Sequence, residues 1–258
     1  MQQKPKSYYA KRADAEMADN LEQSDLTVQQ QLTVTSRMMA LEGHDAGVAG
    51  QITAKAEEEG TFWTLRFGRG FDETTPASFI RVDEDLKTVE GEGFANPAAR
   101  FHLWVYKARP DVNCIVHAHP PWISALSMLK QPLIVAHMDQ TPFYDDCAYL
   151  ADWPGLPIAD DEGTIISKAL GEKSSIILAH HGYLTAANTV SEACFLGIYL
   201  ERAARMQVRA AGAGTITPVD AALATESRDF FKSSSVIETT FAYYARQVVA
   251  HFGDECLE

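Results

Sequence analysis

Two histidine clusters carry the chemistry legible in this chain of 258 residues: His117-Ala118-His119 near the middle, and His180-His181-Gly182 further on. The first follows the apolar run Cys114-Ile115-Val116, the second Ile176-Ile177-Leu178-Ala179. Both runs are short, β-branched and bounded by Pro or Gly, so both read as buried strands. Side chains alternate along a strand, so His117 and His119 point to one side. Two imidazoles held that way, with a third from another strand end, form a metal site that keeps a coordination position open for water or substrate. The competing reading is a set of satisfied polar residues at strand ends, and spacing alone leaves both open.

The elements that must position these residues follow from periodicity and end signals. Strands are expected near 51–56, 61–66, 79–83, 113–119 and 175–181, and helices near 27–42, 97–108 and 190–208. Asn96-Pro97 supplies an N-cap and a proline at the first helical position, and Arg109-Pro110 ends that helix. Thr189-Val190-Ser191-Glu192 reads as a capping box, and Gly171 closes a short helix over Ile165–Leu170. A polar arm at residues 1–24, mobile or weakly helical, precedes a domain at 25–210, and a helical extension occupies 211–258. In that extension Phe241, Tyr244 and Val248 line a helix with no evident partner in the short tail, which argues for packing on the same domain or on a neighbouring subunit.

Bulk composition narrows the partners. Twenty-two basic against 35 acidic side chains leave a net charge of −13, which argues against nucleic acid and anionic membranes. No apolar run approaches the roughly twenty residues that span a bilayer, and Met1–Arg12 lacks the apolar stretch of a secretory signal. Cys114, Cys147, Cys194 and Cys256 show no metal-binding or disulfide spacing, so they read as reduced thiols of a cytoplasmic protein.

With the histidines placed, several stretches resemble the class II aldolase/adducin family: Arg100-Phe101-His102, Ala108-Arg109-Pro110-Asp111-Val112, Val116-His117-Ala118-His119 and the His180-His181-Gly182 strand end. Phe67-Gly68-Arg69-Gly70-Phe71-Asp72-Glu73-Thr74-Thr75-Pro76 is more similar to the adducin-like branch than to the sugar-phosphate aldolases. The resemblance spans roughly residues 27–208. It implies a three-layer α/β/α domain with a central, mainly antiparallel sheet, and a homo-oligomer, a tetramer first, with sites between subunits. It also implies a divalent ion, zinc before manganese or iron, on His117, His119 and His181, with His180 a neighbour.

Departures from the family pattern shape the expected chemistry. The aldolases carry a proton-handling Glu at the head of the helix, where this chain has Ala98, which cannot exchange a proton. Their phosphate-holding Ser and Asn turns correspond to Asn96-Pro97, Gly50-Gln51 and Phe67-Gly68, which lack most of the donors a phosphate needs. A three-imidazole site keeps the full charge of its ion and can stabilise the enolate that aldol cleavage and decarboxylation share. The expected activity is therefore a metal-dependent carbon–carbon lyase, a retro-aldolase or decarboxylase, on a small non-phosphorylated oxo or hydroxy acid. Asp139 and Tyr144 are the expected protein acids. Arg66, Arg69 and Arg81 could meet a substrate carboxylate, although a solvated surface role is favoured for them, and His44 could line the site through its Gly-rich turn. A non-heme Fe(II) oxygenase on the same fold, and a non-catalytic adducin-like interaction protein, are the alternatives. Adducin itself lacks the histidine set that this chain keeps.

Overall fold

Burial alternates along the central strand, and that alternation builds the layers. In the computed structural model, which describes residues 3–20, 25–156 and 158–258, Cys114, Val116 and Ala118 face one apolar cluster while Ile115 faces another. The strands are β1 (Gln51–Lys55), β2 (Phe62–Leu65), β3 (Phe79–Val82), β4 (Thr88–Glu90), β5 (Cys114–Ala118), β6 (Cys147–Leu150), β7 (Ser175–Leu178) and β8 (Tyr183–Ala187). They form one eight-stranded sheet in the order β4-β3-β2-β1-β5-β8-β7-β6. Neighbours pair antiparallel, with β6 and β7 parallel.

The helices are α1 (Lys6–Asn20), α2 (Val28–Leu41), α3 (Arg100–Ala108), α4 (Pro121–Met128), α5 (Asp160–Leu170), α6 (Val190–Ala211), α7 (Ala221–Phe231) and α8 (Ser234–Phe252). One sheet face packs against α2, α4, α6 and α8 through Leu32, Met39, Leu126, Leu196 and Phe241. The other packs against α3 and α5 through Phe101, Val105, Ile166 and Leu170. Burying each such side chain contributes about 1.5–3 kcal/mol. Helix starts follow their signals: Thr27 caps α2 in a reciprocal box with Gln30, Asn96 caps the turn leading into α3, and Thr189 caps α6. The result is the expected α/β/α arrangement.

Four features differ from the sequence expectation. Strands β4, β6 and β8 were not anticipated, and β8 changes the site: His180-His181-Gly182 is the turn of a tight β7–β8 hairpin, where a strand end was expected. The N-terminal arm forms a full helix, although none of its described residues is buried. Phe241, Tyr244 and Val248 are buried in the chain's own core, so their apolar face gives no argument for a second subunit. Among the described residues no helix is long and apolar enough to cross a membrane.

Topology fixes two ends of the sheet. Strands β5 and β7 both pair antiparallel with β8, so they run the same way and finish together. Strand β2 finishes there too, and β1 and β8 start there. This is the histidine end; the starts of β5, β6 and β7 mark the far end.

Candidate metal centre

His117 is the last-but-one residue of β5, His119 follows the strand, and His181 sits in the β7–β8 turn on the adjacent hairpin. The three converge. One nitrogen from each lies within 4.8 Å of the others, and the Nε2 atoms of His117 and His119 are 2.9 Å apart. Ring centroids are 4.7 Å apart for His117–His119, 4.8 Å for His117–His181 and 4.6 Å for His119–His181. His180 has φ of 59° and an exposed side chain, turned out of this cluster by the left-handed backbone that lets its neighbour turn in.

Local packing fixes these positions. Leu178 and Gly182 close the hairpin, with the Leu178 N–H donating to the Gly182 carbonyl at 2.9 Å. A side chain at Gly182 would lie 2.4 Å from the Ala118 carbonyl oxygen and 2.7 Å from the His119 ring, so only glycine lets the hairpin approach β5 this closely. His117 Nδ1 lies 2.6 Å from the Tyr183 carbonyl oxygen. A carbonyl only accepts, so Nδ1 carries the proton and Nε2 presents its lone pair to the cluster.

Electrostatics favour the neutral, ligating form of each ring. Burial holds His117 well below the ordinary imidazole range, helped by the neighbouring His181 and His119. Burial also lowers His119, and it brings His181 to about 4 with a contribution from His119. Three neutral imidazoles with lone pairs aimed at one point fit a divalent ion of the zinc class.

Several buried groups surround the cluster. The Phe101 ring stands edge-on to His117 at 5.0 Å, which brings the head of α3 to the histidines. His102, fully buried, shares a hydrogen bond through Nδ1 with the Thr53 hydroxyl at 2.9 Å, and Tyr106 donates to the Thr53 carbonyl at 3.0 Å. His102 Nε2 and Gln51 Oε1 are buried without a hydrogen-bond partner among the described residues, and Gln51 is the cross-strand partner of His117. Ala98, half-buried, donates its N–H to Asn96 Oδ1 and offers no titratable atom.

The other expected site residues lie elsewhere within the chain. Asp139 pairs with Arg202 of α6 at 2.8 Å, in the layer opposite the Phe101–His117 contact. Tyr144 precedes Asp145 and Asp146, which bond Lys173 and Ser174 at the far end of the sheet. Neither is brought to the three imidazoles by its own chain, because the connection before β6 must enter that strand from its far end. Arg69 pairs with Glu73 and Arg81 with Glu58 and Glu90, so both are surface ion pairs. Arg66 lines a separate groove with Arg69 and Glu73. His44 is fully buried and bonds the Tyr183 hydroxyl at 3.1 Å, behind the site and one residue removed from it.

Sequence reasoning missed Tyr183, which serves His117 through its carbonyl and His44 through its hydroxyl. Its signal was the alternation Tyr183-Leu184-Thr185-Ala186, masked because the turn before it is itself built from histidines. Groove size does not locate the site either: a hollow of about 590 Å³ between Lys55, Arg100, Trp104 and Lys107 lies outside α3 and includes none of the three.

Comparison with known proteins agrees with this geometry. The chain is 35% identical over 195 residues to the 4-hydroxy-3-prenylphenylpyruvate oxygenase/4-hydroxy-3-prenylbenzoate synthase of Streptomyces roseochromogenus subsp. oscitans, covering 74% of this chain and 70% of that protein. It is also 35% identical over 195 residues to decarboxylase NovR of Streptomyces niveus, covering 74% and 72% respectively. The solved L-fuculose 1-phosphate aldolase from Glaciozyma antarctica PI12 superposes with a TM-score of 0.84 at 28% identity, over 94% of this chain and 99% of that one. Residues 30–208 match the model of the Class II Aldolase and Adducin N-terminal domain; with these matches, the chain belongs to the class II aldolase/adducin family.

Proposed function

We propose that this protein is a metal-dependent carbon–carbon lyase, a retro-aldolase or decarboxylase, acting on a non-phosphorylated oxo or hydroxy acid. The observation that carries the reading is the convergence of three neutral imidazoles, His117, His119 and His181, beside a helix head where Ala98 stands. These three residues are proposed to hold a divalent ion, zinc first. When bound, that ion supplies Lewis-acid stabilisation of negative charge developing on the substrate's oxygens. The chain does the rest. The Tyr183 carbonyl holds His117 in the ligating tautomer, Phe101 shields its inner edge from water, and Ala98 leaves the helix head without a proton carrier. Loss of carbon dioxide needs no base to begin, so decarboxylation suits such a site better than synthetic aldol addition.

Asp139 and Tyr144 serve as acids in this reading only from a neighbouring copy, in a cytoplasmic homotetramer whose sites lie at subunit boundaries. The domain at 25–210 carries the function and 211–258 extends its core. The decisive experiment is an anaerobic and aerobic screen of 2-oxo acids against the zinc-, manganese- and iron-loaded protein. Metal-dependent turnover without oxygen, abolished in His119→Ala, supports the lyase. The name of the Streptomyces roseochromogenus relative favours a second reading, a non-heme Fe(II) oxygenase. Oxygen consumption with Fe(II) and no anaerobic turnover would move the assignment there, and a metal-free, inert protein would leave an interaction role.

A further inference from the structure

Three loops present apolar side chains to solvent at the histidine end of the sheet, where a solvated surface would be polar. Val48 precedes β1, Phe67 follows β2 and Phe94 leads toward α3; they are 43%, 41% and 58% exposed. Backbone bonds hold them together. The Phe67 N–H donates to the Phe94 carbonyl at 2.8 Å, Arg66 and Ala95 form a β-bridge, and the Phe67 and Phe94 ring centroids are 5.5 Å apart. Asn96 donates to the Val48 carbonyl at 3.4 Å, tying in the third.

Register gives the patch its distance from the imidazoles. Gln51 is opposite His117, and continuing the Thr53–Thr64 pairing outward brings Arg66 opposite Gln51. Phe67 therefore stands level with Ala118 two strands away, roughly 10 Å at ordinary strand spacing. From Phe94 the chain runs four residues to Ala98 and three more to Phe101, whose ring touches His117. The aromatic pair and the metal centre are thus two stations on one edge. The span matches an acid whose oxygens sit at the histidines and whose side chain reaches outward.

We infer that Phe67 and Phe94, with Val48, form a specificity subsite for a bulky apolar substituent, aromatic or branched-alkyl, on the oxo or hydroxy acid. The inference rests on the functional reading above and names its substrate class. The pair offers ring faces and edges, which suit another aromatic ring, and burying one such substituent against it corresponds to about tenfold or more in affinity.

The test is calorimetric binding of phenylpyruvate and pyruvate to the zinc-loaded full-length protein, with and without chelator. Phenylpyruvate is expected to bind at least about tenfold tighter. Phe67→Ala and Phe94→Ala should each reduce that preference severalfold while leaving pyruvate affinity and zinc content within about twofold, and Phe94→Tyr should restore it. Equal binding of the two acids, or parallel weakening of both in the variants, overturns the subsite. Light scattering provides a further arm: if Phe94→Ala lowers the mass of an assembly without changing the preference, the patch is an interface between copies and the proposal fails. Preference for phenylpyruvate that survives chelator and His119→Ala but not Phe94→Ala keeps the subsite and removes the metal-based reading. If neither acid binds, 3-phenylpropanol decides: binding lost in Phe94→Ala keeps the subsite and removes the acid, and no binding removes both.

Discussion

The two ends of the sheet solve opposite problems. At the far end, charge is matched with charge. Lys232 meets Asp146, Ser174 and Glu192, Lys173 meets Asp145, and Arg109 pairs with Asp111 while donating to the Gly171 and Lys173 carbonyls. At the histidine end, buried polar groups are kept neutral. His44 and His102 are each held at about 3 by burial alone, and His44 Nε2, His102 Nε2 and Gln51 Oε1 lack partners among the described residues. The far end spends its polar atoms on holding the loops and the C-terminal helices to the sheet; only the isolated hydroxyls of Ser175 and Ser233 go without a partner there. The histidine end keeps its lone pairs uncommitted, which costs stability and leaves them able to bind. One end is a clasp and the other a receptor.

That contrast can be broken from either side. The largest effect is expected for His117→Ala, which should abolish stoichiometric metal binding by elemental analysis while leaving the fold intact by circular dichroism; retention of most of the metal would refute the three-histidine assignment. Gly182→Ala should come next. Its new methyl would collide with the Ala118 carbonyl and the His119 ring, so metal content should fall several-fold with no ligand altered, and unchanged content would show that the hairpin can shift. At the clasp, Lys232→Met should reverse the pattern, lowering unfolding stability by about 1–3 kcal/mol in denaturant titration with metal content unchanged. Metal loss there would mean that the two ends are coupled.

The pH response distinguishes them further. In the folded chain His181 lies at about 4 against an ordinary value of 6.5, so the unfolded chain binds the extra proton first. Stability from this group is complete above about pH 6.5 and is lost as pH falls toward 4. His44 and His102 act in the same direction. The melting temperature of the metal-free protein should decline steadily across that window. The metal-loaded protein should resist over the upper part of it, and identical curves would argue against a ligated His181. The smallest effect belongs to His180→Ala, which should keep nearly all the metal.

Most of the fold was legible because its long elements declare themselves. Thr27, Asn96 and Thr189 cap the helices where their side chains suggest, and the strands at 51–55 and 114–118 follow alternation or apolar runs. What escaped was short or ambiguous. Thr88–Glu90 is a three-residue edge strand with little buried. Tyr183–Ala187 carries no turn signal distinct from the histidines before it. The imidazole cluster could be read from two histidines at i and i+2 and a third before glycine. The residues that orient it could not, since a main-chain carbonyl such as that of Tyr183 leaves no mark on sequence. Asp139 and Tyr144 show the converse: composition suggested acids, but only strand direction reveals which end of the sheet a segment enters.

The β7–β8 turn has one more consequence. Two adjacent histidines sit at its tip, and a slip of one residue in the hairpin would send every side chain of β8 to the opposite face. His180 would then replace His181 in the cluster, and Tyr183 would exchange its place in the core with Leu184. A metal bound by the native trio therefore rewards one strand alignment over its neighbour by mass action. Bound cation would proofread the pairing of this sheet as the chain folds, so that a correctly threaded hairpin and a loaded centre become a single event.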